Sequence, residues 1–544
     1  MTTKPYRPWA PHQPYLLPPS PADWLPKNHL AYFLLDLVAE LDLSAIEAVI
    51  QARDPRGVRP YPPQMMVALL LYAYSRGVYS SRRIARATHE DVAMRVIAGE
   101  HHPHFTTIAS FRQDHLEALG ELFVQVLKMC RAAGLAKLGH VSLDGTKVQA
   151  NASKHSAMSY ERMQAEEKRL ADEVTALLAI ARDKDEEEDE HLGKGEDDMD
   201  VPAELARREA RLDVIRAARA ALEREAAVVR AAELRALADV NDERAAEDGD
   251  PSAAKGAATR AGNQRKKADE LDPPKDDSEG GPPGDAGPSG PSLPLHAPAH
   301  NADGEPDPKA QRNFTDPDSR IMKQGSDYVQ AYNAQAAVDA ESHVIVSHAL
   351  SNQAPDAEYF PAVVQGVADN LGCLPEKVSA DAGYWSAENA AWSEEHGIDA
   401  HIAVRRQRHR EQGPDVLTRG GEAVMSPDST SEPGASPENA VPDNDLPVVE
   451  TASEAGAREK ILDRCSARPP MSPRDKMRAK LDSPEGREVY RLRKCTPEPV
   501  FGNIKEARGF RRFLLRGMHK VRQEWALICT AHNLLKLHGA RLAM

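Results

Sequence analysis

The chain has 544 residues, room for on the order of two to four domains, and its 41% hydrophobic content makes a packed core possible. A formal charge of −15 would exclude a nucleic-acid partner if it were evenly spread, but residues 161–310 carry roughly −16 and residues 501–544 roughly +7. Five scattered cysteines (Cys130, Cys373, Cys465, Cys495, Cys529) show no CxxC spacing, which argues against a disulfide framework or zinc ribbon and fits a reducing compartment. No apolar run approaches the ~20 residues of a membrane span. The proline-rich start MTTKPYRPWAPHQPYLLPPS has no apolar signal region, so a cytoplasmic protein without a membrane partner is expected.

In chain order, residues 1–28 read as an extended arm. Residues 29–135 have helical apolar spacing throughout, most strongly in QMMVALLLYAYSRG, and predict an all-helical domain. The period changes at 136–154, where VSLDGTKVQANAS predicts a strand. Residues 155–246 are rich in Ala, Glu, Arg and Leu and predict a helical hairpin with coiled-coil packing, split by an acidic stretch. Residues 247–312 are rich in Pro, Gly and Asp and are expected to be a disordered acidic linker. Order returns over 313–404: two strands around a turn at 339–342, then helix, strand (KVSAD), helix and strand (DAHIAV). Residues 405–472 read as a loop-like insertion and 473–544 as helices. Without the insertions, the order β-β-β-α-β-α-β-α is that of a ribonuclease-H-like α/β core, a mixed five-stranded sheet with flanking helices.

Asp144 lies in the first strand, and a carboxylate there is costly unless a cation meets it. Asp381 closes the fourth strand, the expected neighbour of the first. Glu498 precedes Pro499, a helix-start signal, and Lys505 follows seven residues later, about two helical turns on and so on the same face. Converging carboxylates repel unless a divalent metal lies between them. Mg²⁺ takes oxygen ligands and keeps several waters, so two or three carboxylates suffice. The competing reading is local: Asp144 caps the turn before Gly145, and Asp381 begins a helix. Glu506 is the rival for the third acid.

The motifs SLDGTKVQANASKHSAMSYERM, NFTDPDSRIMK, YVQAYNAQAAVD, SADAGYWS and EPVFGNIKEARGFRRFLLRG resemble the DDE-type transposases of bacterial insertion sequences, in particular the group with a helical N-terminal domain and a helical insertion after the first aspartate. The resemblance runs from about residue 10 to about residue 540, interrupted twice. It implies that Asp144, Asp381 and Glu498 are a catalytic, metal-binding triad for Mg²⁺, with Mn²⁺ as a substitute, and that phosphodiester bonds at element ends are cut and joined. It implies double-stranded DNA as the partner (terminal inverted repeats and target), a homodimer in a synaptic complex, and association with the nucleoid. A Tyr–Arg–Glu–Lys signature of related transposases would be filled by Tyr490, Arg493 or Lys494, Glu498 and Lys505. Arg493 has the spacing from Tyr490, while Lys494 has the spacing to Glu498. A nuclease on the same fold that does not join strands, and an inactive DNA-binding relic, are the alternatives.

For DNA contact, KEARGFRRFLLRGMHKVR supplies Arg508, Arg511, Arg512 and Arg516 near Glu498, as a phosphate-binding surface requires. Within the N-terminal helices, SSRRIARATHEDVAMRVIAG and FTTIASFRQDHLEAL have helix-turn-helix spacing. Thr106, Thr107, Ser110, Arg112 and Gln113 could then face a groove. HHPH (101–104) reads as a loop rather than a zinc site. Tyr384 and Trp385 read as packing beneath the site's edge, with stacking on an extruded base as the alternative.

Overall fold

The structure, a computed structural model, describes residues 23–53, 59–190, 201–247, 250–273, 291, 293–405 and 471–543. Residues 1–22 of the arm expected over 1–28 and nearly all of the 405–472 insertion lie outside these residues.

Among the described residues, seven helices come first: α1 (Leu30–Glu40), α2 (Ser44–Gln51), α3 (Pro63–Ser75), α4 (Ser81–Glu90), α5 (Val92–Ala98), α6 (Phe105–Asp114) and α7 (Leu116–Ala132). Proline at N1 starts α3, where its missing N–H costs nothing. From Met65 to Ser75 every residue of α3 is buried. The HHPH stretch is the entry to α6, and the His104 ring accepts the Thr106 N–H as its N-cap.

The sheet contains β1 (His140–Gln149), β4 (Arg320–Gln324), β5 (Asp327–Asp339), β6 (Ile345–Ser351), β7 (Lys377–Ala380) and β8 (Asp399–Ile402); β2 (Ala157–Ser159) and β3 (Gln311–Asn313) form a separate ribbon. Strand β6 pairs antiparallel with β5, and β5 with β1; β1 then runs parallel to β7, and β7 to β8. This is the ribonuclease-H-like arrangement. The expected five strands gain a sixth, β4, which pairs with β5 from Arg320↔Ala331 to Gln324↔Asp327. The turn holds Gly325 at φ +64°, a left-handed position that suits a two-residue hairpin.

The insertion differs from the expected hairpin. Helices α8 (Tyr160–Glu190) and α9 (Val201–Glu247) are followed by a third, α10 (Pro251–Leu271), in the stretch expected to be a disordered linker. Asp250 caps α10 by accepting the Ser252 N–H, and Pro251 sits at N1. Ala257, Ala261 and Ala268 are buried, a stripe of small residues that allows close helix packing. The linker-like composition masks these start signals. Residues 274–290 of that stretch lie outside the described residues. The β2–β3 ribbon closes the base of the insertion.

Helices α11 (Phe360–Leu371) and α12 (Ala387–Glu395) connect the parallel strands; α13 (Pro473–Asp482), α14 (Pro484–Cys495), α15 (Pro497–Gly502) and α16 (Met518–Ala543) follow. The spacing of α16 reads as amphipathic, yet it is buried all round from Val521 to Leu534. It lies between α3 and α7 on one side and β6 on the other. Two of its polar side chains tie it to the sheet: Asn533 exchanges two hydrogen bonds with the backbone of Ile345, and the Trp525 indole N–H donates to Gln335 O at 3.2 Å. Burying each large side chain here, such as Ile528 or Leu527, contributes about 1.5–3 kcal/mol. One apolar cluster therefore runs from Leu30 through the sheet to Leu534, and the N-terminal helices share the core of the sheet domain.

Candidate active site

Parallel pairing of β1 with β7 runs from His140↔Lys377 to Leu143↔Ala380. The next residues are Asp144 and Asp381, so the register carries the two carboxylates side by side where β7 ends. Asp144 is nearly buried, and its Oδ1 accepts the Gly145 N–H at 2.9 Å. Asp381 is half-exposed and caps the following turn, accepting the Gly383 N–H at 2.8 Å.

Arg493, on α14, joins them. Its Nη2 lies 3.5 Å from Asp144 Oδ2 and 3.9 Å from Asp381 Oδ2. Burial pushes the Asp144 carboxyl up to about 6; the Arg493 charge opposes this and the Asp381 charge adds to it. The Arg493 Nε is buried without a partner among the described residues. Tyr490, one turn earlier on α14, hydrogen-bonds to Arg493, and burial raises its phenol. Lys494 points to solvent. Of the two basic candidates for the signature, Arg493 lies against the aspartates and Lys494 does not.

Lys505 reaches β1 two residues beyond Asp144. Its Nζ donates to Thr146 Oγ1 at 2.5 Å and to Lys147 O at 2.8 Å, and burial pulls its pKa down.

Glu498 stands exposed on the first turn of α15, and among the described residues no hydrogen bond or ion pair joins it to the aspartates. Between Glu498 and Lys505 the regular α-helical step is interrupted, because residues Asn503–Ala507 form a π-helical turn. Glu506 pairs with Arg511 instead. Among the described residues no three His, Cys, Asp or Glu side chains form a metal-binding group.

Two family models match the chain: Transposase DDE domain over residues 302–534, and Transposase domain (DUF772) over residues 19–114. The chain belongs to the DDE transposases of insertion sequences. No curated protein and no solved structure matches it. The DDE match begins after β1 and the insertion and contains Asp381, Arg493 and Glu498, while Asp144 lies outside it and is brought to Asp381 by the β1–β7 pairing.

The transposase places its expected DNA contacts unevenly. Arg511, Arg512 and Arg516 are exposed or nearly so, on a segment docked against the end of β1: Gln149 N donates to Arg511 O at 3.2 Å and Phe513 N to Gln149 O at 2.9 Å. Arg508 is instead only 6% exposed, and its Nη1 reaches Ile528 O at 3.4 Å. Arg112 is likewise buried, donating to Tyr74 Oη and Tyr79 O at 3.0 Å each. Both arginines lie beneath the surface, where a phosphate does not reach: Arg112 is held within the N-terminal helices and Arg508 against the C-terminal helix. Gln113, Thr106, Thr107 and Ser110 are exposed or nearly so, the last three lining a cavity of about 640 Å³ with Arg59 and Tyr61. Tyr384 is fully buried and donates to Gln335 Oε1, a packing role.

Sequence reasoning misses Asp356, Lys147, Asn333 and Gln335, which lie against the two aspartates. The available signal is in YVQAYNAQAAVD. Asn333 and Gln335 fall two apart on a strand otherwise made for burial, so both point to one face and need partners.

Proposed function

We propose that this transposase cuts and joins phosphodiester bonds at the ends of its element by a Mg²⁺-dependent DDE mechanism. The observation that carries the reading is the side-by-side placement of Asp144 and Asp381 on parallel strands, sharing one arginine nitrogen. A carboxylate pushed up to about 6 by burial gains from a cation, so the pair suits a hard divalent ion. Asp144 and Asp381 are the residues that would hold it, and Glu498 is the third acid. The ion would supply activation of an attacking oxygen and stabilisation of the leaving one during in-line displacement at phosphorus.

The chain's own groups position the DNA. Arg493 stands at the carboxylate pair with its Nε unpartnered among the described residues, and a planar guanidinium suits a phosphate oxygen there. Lys505 stands beside Thr146 on β1 as a second cation. Arg511, Arg512 and Arg516 provide the sequence-independent footing on the backbone. Water serves as the first nucleophile and a 3′-hydroxyl as the second, and two copies bring two ends together.

The test is cleavage of a labelled duplex carrying the element's end, with Mg²⁺ or with EDTA, by wild type and by Asp144→Asn, Asp381→Asn and Glu498→Gln. Metal-dependent nicking that disappears in all three variants, with joined products from wild type, is expected. Undiminished cleavage by Asp144→Asn would remove the catalytic assignment. Cleavage retained in Glu498→Gln alone would move the third acid to Glu506.

A further inference from the structure

A layer of polar side chains lies behind the two aspartates. Asp356 sits just past β6, and its Oδ1 accepts from Asn333 Nδ2 at 2.6 Å and from Gln335 Nε2 at 2.9 Å. Lys147 Nζ is 3.7 Å from the same oxygen and donates to Ala354 O at 2.9 Å. The other carboxylate oxygen faces the turn after Asp381: a Cβ on Gly383 would fall 3.4 Å from Asp356 Oδ2 and 2.9 Å from Asp381 Oδ1. Gly383 is also the residue whose N–H holds the Asp381 carboxylate.

Gly145 explains how Gln335 reaches Asp356. The two are cross-strand partners, and a Cβ on Gly145 would stand 2.4 Å from Gln335 Nε2. The glycine beside Asp144 leaves the room through which the Gln335 amide passes. Tyr384 donates to the other end of that amide. Asn389 of α12 then ties the two turns together, donating to Ala357 O and to Tyr384 O at 2.7 Å each.

We propose that Asp356 is a positioning residue of the transposase site, bracing the Asp381–Tyr384 turn through Gly383 and holding Lys147 toward the carboxylate pair. The inference rests on the reading of Asp144 and Asp381 as the reacting carboxylates. Asp356 itself stays behind the site, fixed by Asn333 and Gln335, and acts through its neighbours. Lys147 is directed by it from the opposite side of β1 to Lys505, so two lysines flank Asp144. Buried polar networks of this kind fix geometry because every member would be costly to leave unmatched.

The experiment compares wild type, Asp356→Ala, Asp356→Asn and Asp144→Asn. It measures end-duplex binding, single-turnover cleavage at saturating DNA, and amide exchange over 381–385 by mass spectrometry. Asp356→Ala is expected to slow cleavage on the order of 10²-fold, as misplacement of a reacting group does, with binding within about twofold of wild type. Exchange at Gly383 and Tyr384 rises in the same variant, while α3 stays protected. Asp356→Asn, which keeps an oxygen for the Asn333 and Gln335 amides, recovers most of the rate and the protection. The proposal is overturned if Asp356→Ala cleaves like wild type, or if its exchange over 381–385 is unchanged. It is also overturned if Asp356→Asn, folded as judged by α3 protection, does no better than alanine. If wild type itself fails to cleave, or Asp144→Asn cleaves, the underlying reading fails instead.

Discussion

The arginines of 508–516 and those of 207–219 both form dense clusters along the chain, yet the fold gives them different partners. In the second group, Arg216 and Arg219 both reach Glu167, at 3.1 and 2.6 Å, Arg211 lies 3.4 Å from Glu166, and Arg208 pairs with Glu173. These are rungs between α8 and α9, and each of these four positive charges meets a carboxylate. In the first group, Arg512 donates to the neutral amide of Gln149 at 3.3 Å and Arg516 to the carbonyl of Asn151 at 3.0 Å. A cation held by a neutral oxygen keeps its field, whereas a cation held by a carboxylate loses most of it. Of the two groups, the 511–516 segment therefore presents net charge to a polyanion, and it does so beside the strand that carries Asp144.

Arg493 is the extreme case, a buried guanidinium whose partners are Asp144 and Asp381. Arg493→Ala leaves Asp144 and Asp381 facing each other without a cation and removes the proposed phosphate donor. Single-turnover cleavage of the end duplex is expected to fall on the order of 10²–10³-fold. Arg493→Lys keeps the charge but not the fork and recovers only part of the loss. A wild-type rate in Arg493→Ala would place Arg493 with the insertion's arginines, as scaffold.

The basic segment is held in place from inside. Glu524 on α16 is buried and accepts the N–H groups of Leu514, at 3.2 and 3.0 Å, and of Leu515, at 3.0 Å. Burial pushes its carboxyl up to about 7, opposed by those N–H groups and by Arg112. The folded state thus binds the proton more tightly than the unfolded chain, so this group's contribution to stability is full below about pH 4.5 and is lost as pH rises through about 7. Across that window the contribution is about 3 kcal/mol. Urea midpoints at pH 5 and pH 8 are expected to differ less in Glu524→Gln than in wild type. An identical pH slope would show that Glu524 does not titrate there.

How much of this the sequence discloses depends on the range of the interaction. Asp144 and Asp381 are legible because strand spacing and nearby glycines act locally, and strand order then brings them together. Helix α10 is legible in principle from Asp250-Pro251 and the alanine stripe, but a composition rich in Gly, Pro and Asp outweighs them. Arg112 and Arg508 read as surface cations because Arg508's partner Ile528 and Arg112's partner Tyr79 lie well along the chain from them, and nothing local separates a buried arginine from a free one. Glu498 and Lys505 are linked by α-helical spacing that a π turn interrupts. Asp356 carries no local mark at all; its place beside the Asp381 turn appears only once β6, β5, β1 and β7 are assembled in one sheet.

The difference between the two arginine groups has a direct readout in salt. Each cation that meets a phosphate displaces counterions, so the slope of log affinity against log salt drops by about 0.9 per contact removed. Arg511→Ala, Arg512→Ala and Arg516→Ala together are expected to flatten the slope by about 2, allowing for the Glu506 partner of Arg511. Arg208→Ala, Arg211→Ala and Arg216→Ala together should leave it unchanged. A flattened slope in the second set would put DNA along α9.

The smallest effect concerns what the insertion's pairs contribute to the fold. Arg219 and Glu167 are partly exposed, and Arg219 also lies 3.3 Å from Glu223, so its charge does not depend on one partner. Exposed pairs of this kind gain little because they give up hydration and side-chain freedom to form. A double-mutant cycle on Arg219→Met and Glu167→Gln, followed by urea denaturation, is expected to return a coupling of about 0.5 kcal/mol, near the lower part of the range for such pairs. The apolar seam of Met163, Leu170, Leu212, Ile215 and Leu222 holds α8 to α9, so Leu222→Ala should cost about 2–4 kcal/mol. If the ion pair proved to contribute more than the seam, the rungs would be the fastening of the insertion rather than its solvated edge, and the contrast with the 511–516 segment would rest on stability as well as on charge.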